Sequence, residues 1–182
     1  MDAECRRLGR TLQWRGTVVL AVFALVWAAA GASSITSGPA VAVIRITAAT
    51  LTLTAIGLAV RVARGTQRPQ RPRSLPDGWN RRIGLVNIVQ LVVIGATVVA
   101  LVRADASAYL PAAVCLIVGI HFFPLARYYD QAQYSWLGVG LCLVSVAGFV
   151  SLTVAAAQSR TIVGFGAAAV LWGTALHVAI KD

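Results

Sequence analysis

Five side chains combine a hydrogen-bonding or titratable group with surroundings too apolar to hydrate it: Arg45, Asn87, Gln90, His121 and His177. Each falls inside or at the edge of a stretch long enough to cross a lipid bilayer. There an unpartnered polar group costs several kcal/mol and so marks a candidate functional position. The sharpest local chemistry lies in Gly119-Ile120-His121-Phe122-Phe123-Pro124-Leu125-Ala126-Arg127. Pro124 has no amide hydrogen, so the Ile120 carbonyl loses its helical partner and a helix kink is expected beside His121. An imidazole next to such a kink could bind a ligand or carry a proton, or could equally bond a neighbouring helix for packing.

Asn87 and Gln90 lie one turn apart at similar depth in the third apolar stretch, and His177 lies one turn from the end of the sixth. If the third, fourth and sixth stretches meet, these residues and His121 would share one polar pocket facing the cytoplasm. Arg45 lies about 7–8 Å into the second stretch at roughly 1.5 Å per residue. Its stem could snorkel to the membrane surface, or its guanidinium could face the bundle as an anion contact. Thr47, Thr50 and Thr54 follow it at helical spacing and either extend a polar stripe or bond their own backbone.

Two histidines at similar depth also match, loosely, the axial pair of a bis-histidine haem. No cofactor is otherwise expected, and haem stands as an alternative. All six acidic residues (Asp2, Glu4, Asp77, Asp105, Asp130 and Asp182) fall at ends or in loops. That disfavours a metal site and a carboxylate-based proton or cation pump. No nucleophile–base, phosphate-loop or paired-carboxylate signature appears, so an enzyme is not the expected reading. Cys5, Cys115 and Cys142 are too scattered for a disulfide framework and read as small apolar fillers.

The elements that must position these groups are legible from hydropathy. Of 182 residues, 58% are hydrophobic and only 12% charged; soluble domains carry about 25% charged residues. The charges bound uncharged stretches of about 20 residues, enough to cross a hydrocarbon layer of about 30 Å. The expected fold is an all-α integral membrane bundle of six transmembrane helices, arranged as three helical hairpins. Spans are expected over about 16–35, 40–62, 83–102, 107–126, 135–157 and 161–180, in a single domain covering 1–182. An Arg- and Pro-rich loop, about 63–82, separates the first two from the last four. A tight turn is expected at Arg103-Ala104-Asp105, a loop at Arg127-Tyr128-Tyr129-Asp130 and a turn at Gln158-Ser159-Arg160. The first span resembles a signal peptide, but its length and the spans that follow favour retention.

The net charge of +10 does not indicate nucleic acid, because the basic residues flank apolar spans rather than line a binding fold. With the N-terminus inside, Arg6, Arg7, Arg10, Arg15, Arg61, Arg64, Arg68, Arg71, Arg73, Arg81, Arg82, Arg127 and Lys181 lie on the inner side, against Arg103 and Arg160 outside. This bias places both termini in the cytoplasm. Trp14, Tyr128, Tyr129, Tyr134 and Trp136 then form an inner aromatic belt. Trp14-Arg15-Gly16, Trp79 to Gly84 and Trp136-Leu137-Gly138 each open an outward span, which interface preference explains without repetition. Gly138, Gly140, Gly148, Gly164, Gly166, Ala169 and Gly173 would let the last two helices pack closely or support oligomers.

The segment from Gly119 to Ala126 resembles a motif in small, uncharacterised bacterial multi-helix membrane proteins. The resemblance implies the plasma (inner) membrane of a bacterium and a helical fold; the dominance of arginine over lysine fits a GC-rich bacterial source. Three functions follow as expectations. The first is transport or sensing of a small ligand through the His121 pocket. The second is a non-catalytic scaffold or accessory subunit that partners itself or another membrane protein. The third is a haem-binding redox protein.

Overall fold

The computed structural model describes residues 2–64, 78–154 and 156–181. They form six helices: α1 (Asp2–Ala32), α2 (Gly38–Arg64), α3 (Trp79–Arg103), α4 (Leu110–Tyr129), α5 (Ala132–Val154) and α6 (Ala156–Lys181). A 3-10 turn at Ser107–Tyr109 leads into α4, and no strand occurs among the described residues. All six helices are long and apolar enough to cross a membrane, so the chain is an integral membrane protein built as an all-α bundle. An even number of crossings returns α6 to the side from which α1 departs. The two ends of the bundle are called here the terminal end, where α1 starts and α6 finishes, and the distal end.

Local chemistry sets the helix limits. Pro39 sits in the first turn of α2, where its missing donor does no harm. α3 stops at a left-handed Asp105 (φ 52°), with the Ala106 amide donating to the Leu101 carbonyl at 2.8 Å. α4 stops at Asp130 (φ 49°), where the Gln131 amide donates to Ala126 O at 3.0 Å. Aspartate tolerates this backbone region better than branched residues do.

Two of the three expected turns shift. Arg127, Tyr128 and Tyr129 are helical, because none of them breaks a helix and the stop falls on Asp130. α5 accordingly starts at Ala132, before Ser135. Gln158, Ser159 and Arg160 lie within α6, whose start is tied back to α5 by the Ser159 hydroxyl donating to Gly148 O at 2.9 Å. The expected connector shortens at both ends, since α2 continues to Arg64 and α3 begins at Trp79. Its Pro69, Pro72 and Pro76 lie outside the described residues. α4 runs unbroken through Pro124.

Each hairpin pair is in contact, yet the most extensive packing joins α1 to α6 and α4 to α5. The hairpin pairs are thus in place, and the first and last helices close the bundle. Lipid supplies no hydrophobic drive between helices, so close backbone approach and interhelical hydrogen bonds decide the contacts. Gly31 of α1 meets Gly164 of α6, and a β-carbon on Gly31 would lie 3.1 Å from the Phe165 nitrogen. Gly119 of α4 meets Gly138 of α5, where a β-carbon on Gly138 would lie 2.8 Å from the Gly119 carbonyl oxygen. Buried bonds join the same elements: Gln13 Nε2 donates to Val178 O at 3.1 Å and Ser145 Oγ to Ala112 O at 2.7 Å. Cys115 Sγ donates to Leu141 O at 3.3 Å, which makes it an interface filler with a weak bond. α2 is held by Trp172 Nε1 donating to Thr52 Oγ1 at 3.2 Å.

α3 is the exception. It touches α4 and the 3-10 turn and no other element among the described residues, and Ile83 is its one buried residue.

Candidate functional site

The five sequence-identified groups do not converge through hydrogen bonds. His121 is half-buried on α4, and the contact it shows is an edge-on ring contact with Phe122 at 5.9 Å between centroids. Asn87 is exposed and Gln90 half-buried on α3, while His177 is exposed near the terminal end of α6. α4 touches both α3 and α6, but α3 and α6 do not touch each other. No direct α3–α6 packing therefore brings Asn87 and Gln90 to His177.

Around His121 the structure builds an aromatic chain instead. Phe122 stacks on Tyr134 (5.9 Å, 25°), Tyr134 meets Tyr129 (5.9 Å), and Tyr129 meets Trp79 edge-on (6.1 Å). Rings from α3, α4 and α5 are thereby tied together at the terminal end. Tyr134 is 8% exposed, so it belongs to the core and not to a lipid-facing belt. Its hydroxyl would stand 2.8 Å from a β-carbon on Gly16, so an α1 glycine makes room for it. Trp136, 76% exposed, keeps the belt position, and Trp14 lies beneath the Arg15 guanidinium at 5.8 Å. The three Trp–Gly segments thus occupy unlike surroundings.

Arg45 is exposed and lines a cleft of about 370 Å³ between α1 and α2. Leu25, Ala28, Ile44 and Ala48 form its apolar walls. Of the threonines that follow, Thr50 donates to Ile46 O and Thr54 to Thr50 O, both at 2.8 Å. These two serve their own helix rather than a polar stripe.

A second cleft, about 430 Å³, opens in the distal half between α1, α3, α4 and α6. Trp27, Ala30, Val98 and Val114 give it apolar walls, and Arg160 stands at its edge. Sequence reasoning placed Arg160 in a loop and so missed it as a site residue. The missed signal was the alanine run before it, which favours helix over turn. Both clefts lie toward the distal end, away from His121, Asn87 and His177.

The small residues divide as well. Gly140, Gly148 and Gly166 face Val170, Val163 and Val144, as packing requires. Ala169 is exposed and a β-carbon on Gly173 would meet nothing within 4 Å, so this small-xxx-small pair is not used inside the chain.

No protein-family model matches this chain, and neither a curated protein nor a solved structure matches it significantly.

Proposed function

We propose that this protein is a non-catalytic component of the bacterial inner membrane, with both termini cytoplasmic, that acts by lateral self-association through α3. The observation that carries the reading is Asn87. Its carboxamide is exposed and has no hydrogen-bond partner among the described residues. It lies about 7–8 Å beyond Arg82 along the helix at roughly 1.5 Å per residue. At that depth no water satisfies it, its side chain is too short to snorkel far, and an unsatisfied polar group costs several kcal/mol.

The surrounding face suits a partner. Gly84, Ile88, Leu91 and Gly95 recur at spacings of four, three and four residues, with Asn87 at the edge. A β-carbon on Gly84 or Gly95 would meet nothing within 4 Å, so a second helix can approach closely there. A two-fold axis along the membrane normal sets Asn87 opposite its own copy. A carboxamide both donates and accepts, so the pair satisfies itself. A ligand site centred on His121 has less support, because the helices carrying its supposed partners do not all meet.

The test is subunit counting by single-molecule photobleaching in lipid bilayers at low protein density. The expected result is a dimer for the wild type and for Asn87→Gln, with Asn87→Leu shifted at least tenfold toward monomer. A monomeric wild type, or an Asn87→Leu dimer of undiminished strength, overturns the reading.

A further inference from the structure

The distal cleft has a feature that helix packing alone does not explain. α3 touches neither α1 nor α6, yet Val98 of α3 lines the same cleft as Val26, Trp27 and Ala30 of α1 and Gly164 of α6. The cleft is therefore a gap between α3 and the packed α1–α6 pair. Its volume, about 430 Å³, falls in the range of about 300–1,000 Å³ typical of small-molecule sites. In a bilayer such an apolar gap is occupied by hydrocarbon, since an empty one forfeits dispersion contacts on every wall.

Its edge is charged. Arg160 is exposed and has neither an ion-pair nor a hydrogen-bond partner among the described residues. The first turn of α6 carries no acidic residue that would compete for it. A guanidinium recognises a phosphate oxygen pair with two parallel hydrogen bonds. Walls that take an acyl chain, with an unpaired cation at headgroup level, fit one chemical class.

We infer that the cleft between α1, α3, α4 and α6 binds an anionic phospholipid from the distal leaflet, one acyl chain against Trp27 and Val98 and the headgroup phosphate on Arg160. The lipid joins α3 to the α1–α6 pair, against which α3 has no close backbone packing of its own. Val98 and Asn87 lie three turns apart on α3 and on one face of it, so this inference differs from self-association in depth and not in the side of the helix it uses. By the arginine bias, the leaflet is the extracytoplasmic one.

Trp27 supplies the readout. The protein is reconstituted in phosphatidylcholine vesicles containing a small fraction of phosphatidylglycerol or phosphatidylcholine brominated on the acyl chains. The Trp27 component of quenching is taken as the difference between wild type and Trp27→Phe. Brominated phosphatidylglycerol is expected to half-quench that component at a mole fraction at least threefold lower than brominated phosphatidylcholine. Arg160→Gln is expected to equalise the two lipids, and Ala30→Phe, which fills the cleft, to weaken quenching by both. Raising ionic strength on the wild type, which needs no variant to fold, is expected to narrow the preference. Equal quenching by the two lipids in the wild type, or a preference that survives Arg160→Gln or high salt, overturns the inference.

Discussion

Gly31 of α1 and Gly164 of α6 meet backbone to backbone: a β-carbon on Gly31 would lie 3.2 Å from the Gly164 α-carbon, and one on Gly164 would overlap the Gly31 backbone. The first and last helices are thus locked at one point by the absence of side chains. The buried bond from Gln13 Nε2 to Val178 O, 3.1 Å, fixes the same pair toward the terminal end. Rotation of α1 about the glycine contact would break that bond.

From this contact follows a contrast within one helix. Gly164→Ala must push α1 away from α6, and overpacking of this kind costs about 1–3 kcal/mol. Gly173→Ala meets open space and should leave stability unchanged or raise it by up to about 1 kcal/mol, alanine being the better helix former. Thermal unfolding midpoints in one detergent compare the two directly. Equal midpoints would show that α1 and α6 are not in register at Gly31.

The bond from Trp172 Nε1 to Thr52 Oγ1, at 3.2 Å, is a buried side-chain link between α6 and α2. A double-mutant cycle of Trp172→Phe and Thr52→Val should return a coupling of about 0.6–1.7 kcal/mol, the range for bonds between membrane helices. A coupling of zero would mean that apolar packing alone seats α2.

His121 offers a test of the polar-pocket idea by stability alone. The imidazole is half-buried and has no hydrogen-bond partner among the described residues. His121→Phe therefore removes no bond and should shift stability by less than about 1 kcal/mol. A loss above about 2 kcal/mol would reveal a polar partner for the imidazole and revive a site at that position.

Orientation is open to labelling. In a background with Cys5, Cys115 and Cys142 replaced by alanine, Ser37→Cys and Asp105→Cys lie at the distal end and Gly78→Cys at the terminal end. The arginine bias predicts that a membrane-impermeant maleimide labels the first two in intact cells and the third only after lysis. The reverse pattern would invert the protein in the membrane and move the Arg160 cleft to the cytoplasmic leaflet.

The sequence was most legible where neighbours along the chain decide the outcome. Six spans, their limits to within a few residues at most ends, Pro39 in a first turn and Asp105 in a turn all follow from local hydropathy and backbone preference. Turn positions failed at Arg127 to Tyr129 and at Gln158 to Arg160, because polar residues at a span's edge read as loop even when they continue a helix. The polar pocket was illegible for a different reason. Depth can be counted from a span's boundary, but direction around the helix and choice of neighbour cannot. Asn87 and His121 share a depth while Asn87 and His177 sit on helices that never touch.

That the chain lives in lipid and crosses it six times was determined by the sequence alone, because hydrocarbon solvation acts on consecutive residues one stretch at a time. Which helices close the bundle, that α3 stands apart with Asn87 unpartnered, and that Arg160 overlooks an apolar gap were decided only by the tertiary structure. Those outcomes depend on contacts such as Gly31 with Gly164 and Gly119 with Gly138, whose members are brought together by the whole fold and carry no mark of their partner in the residues around them.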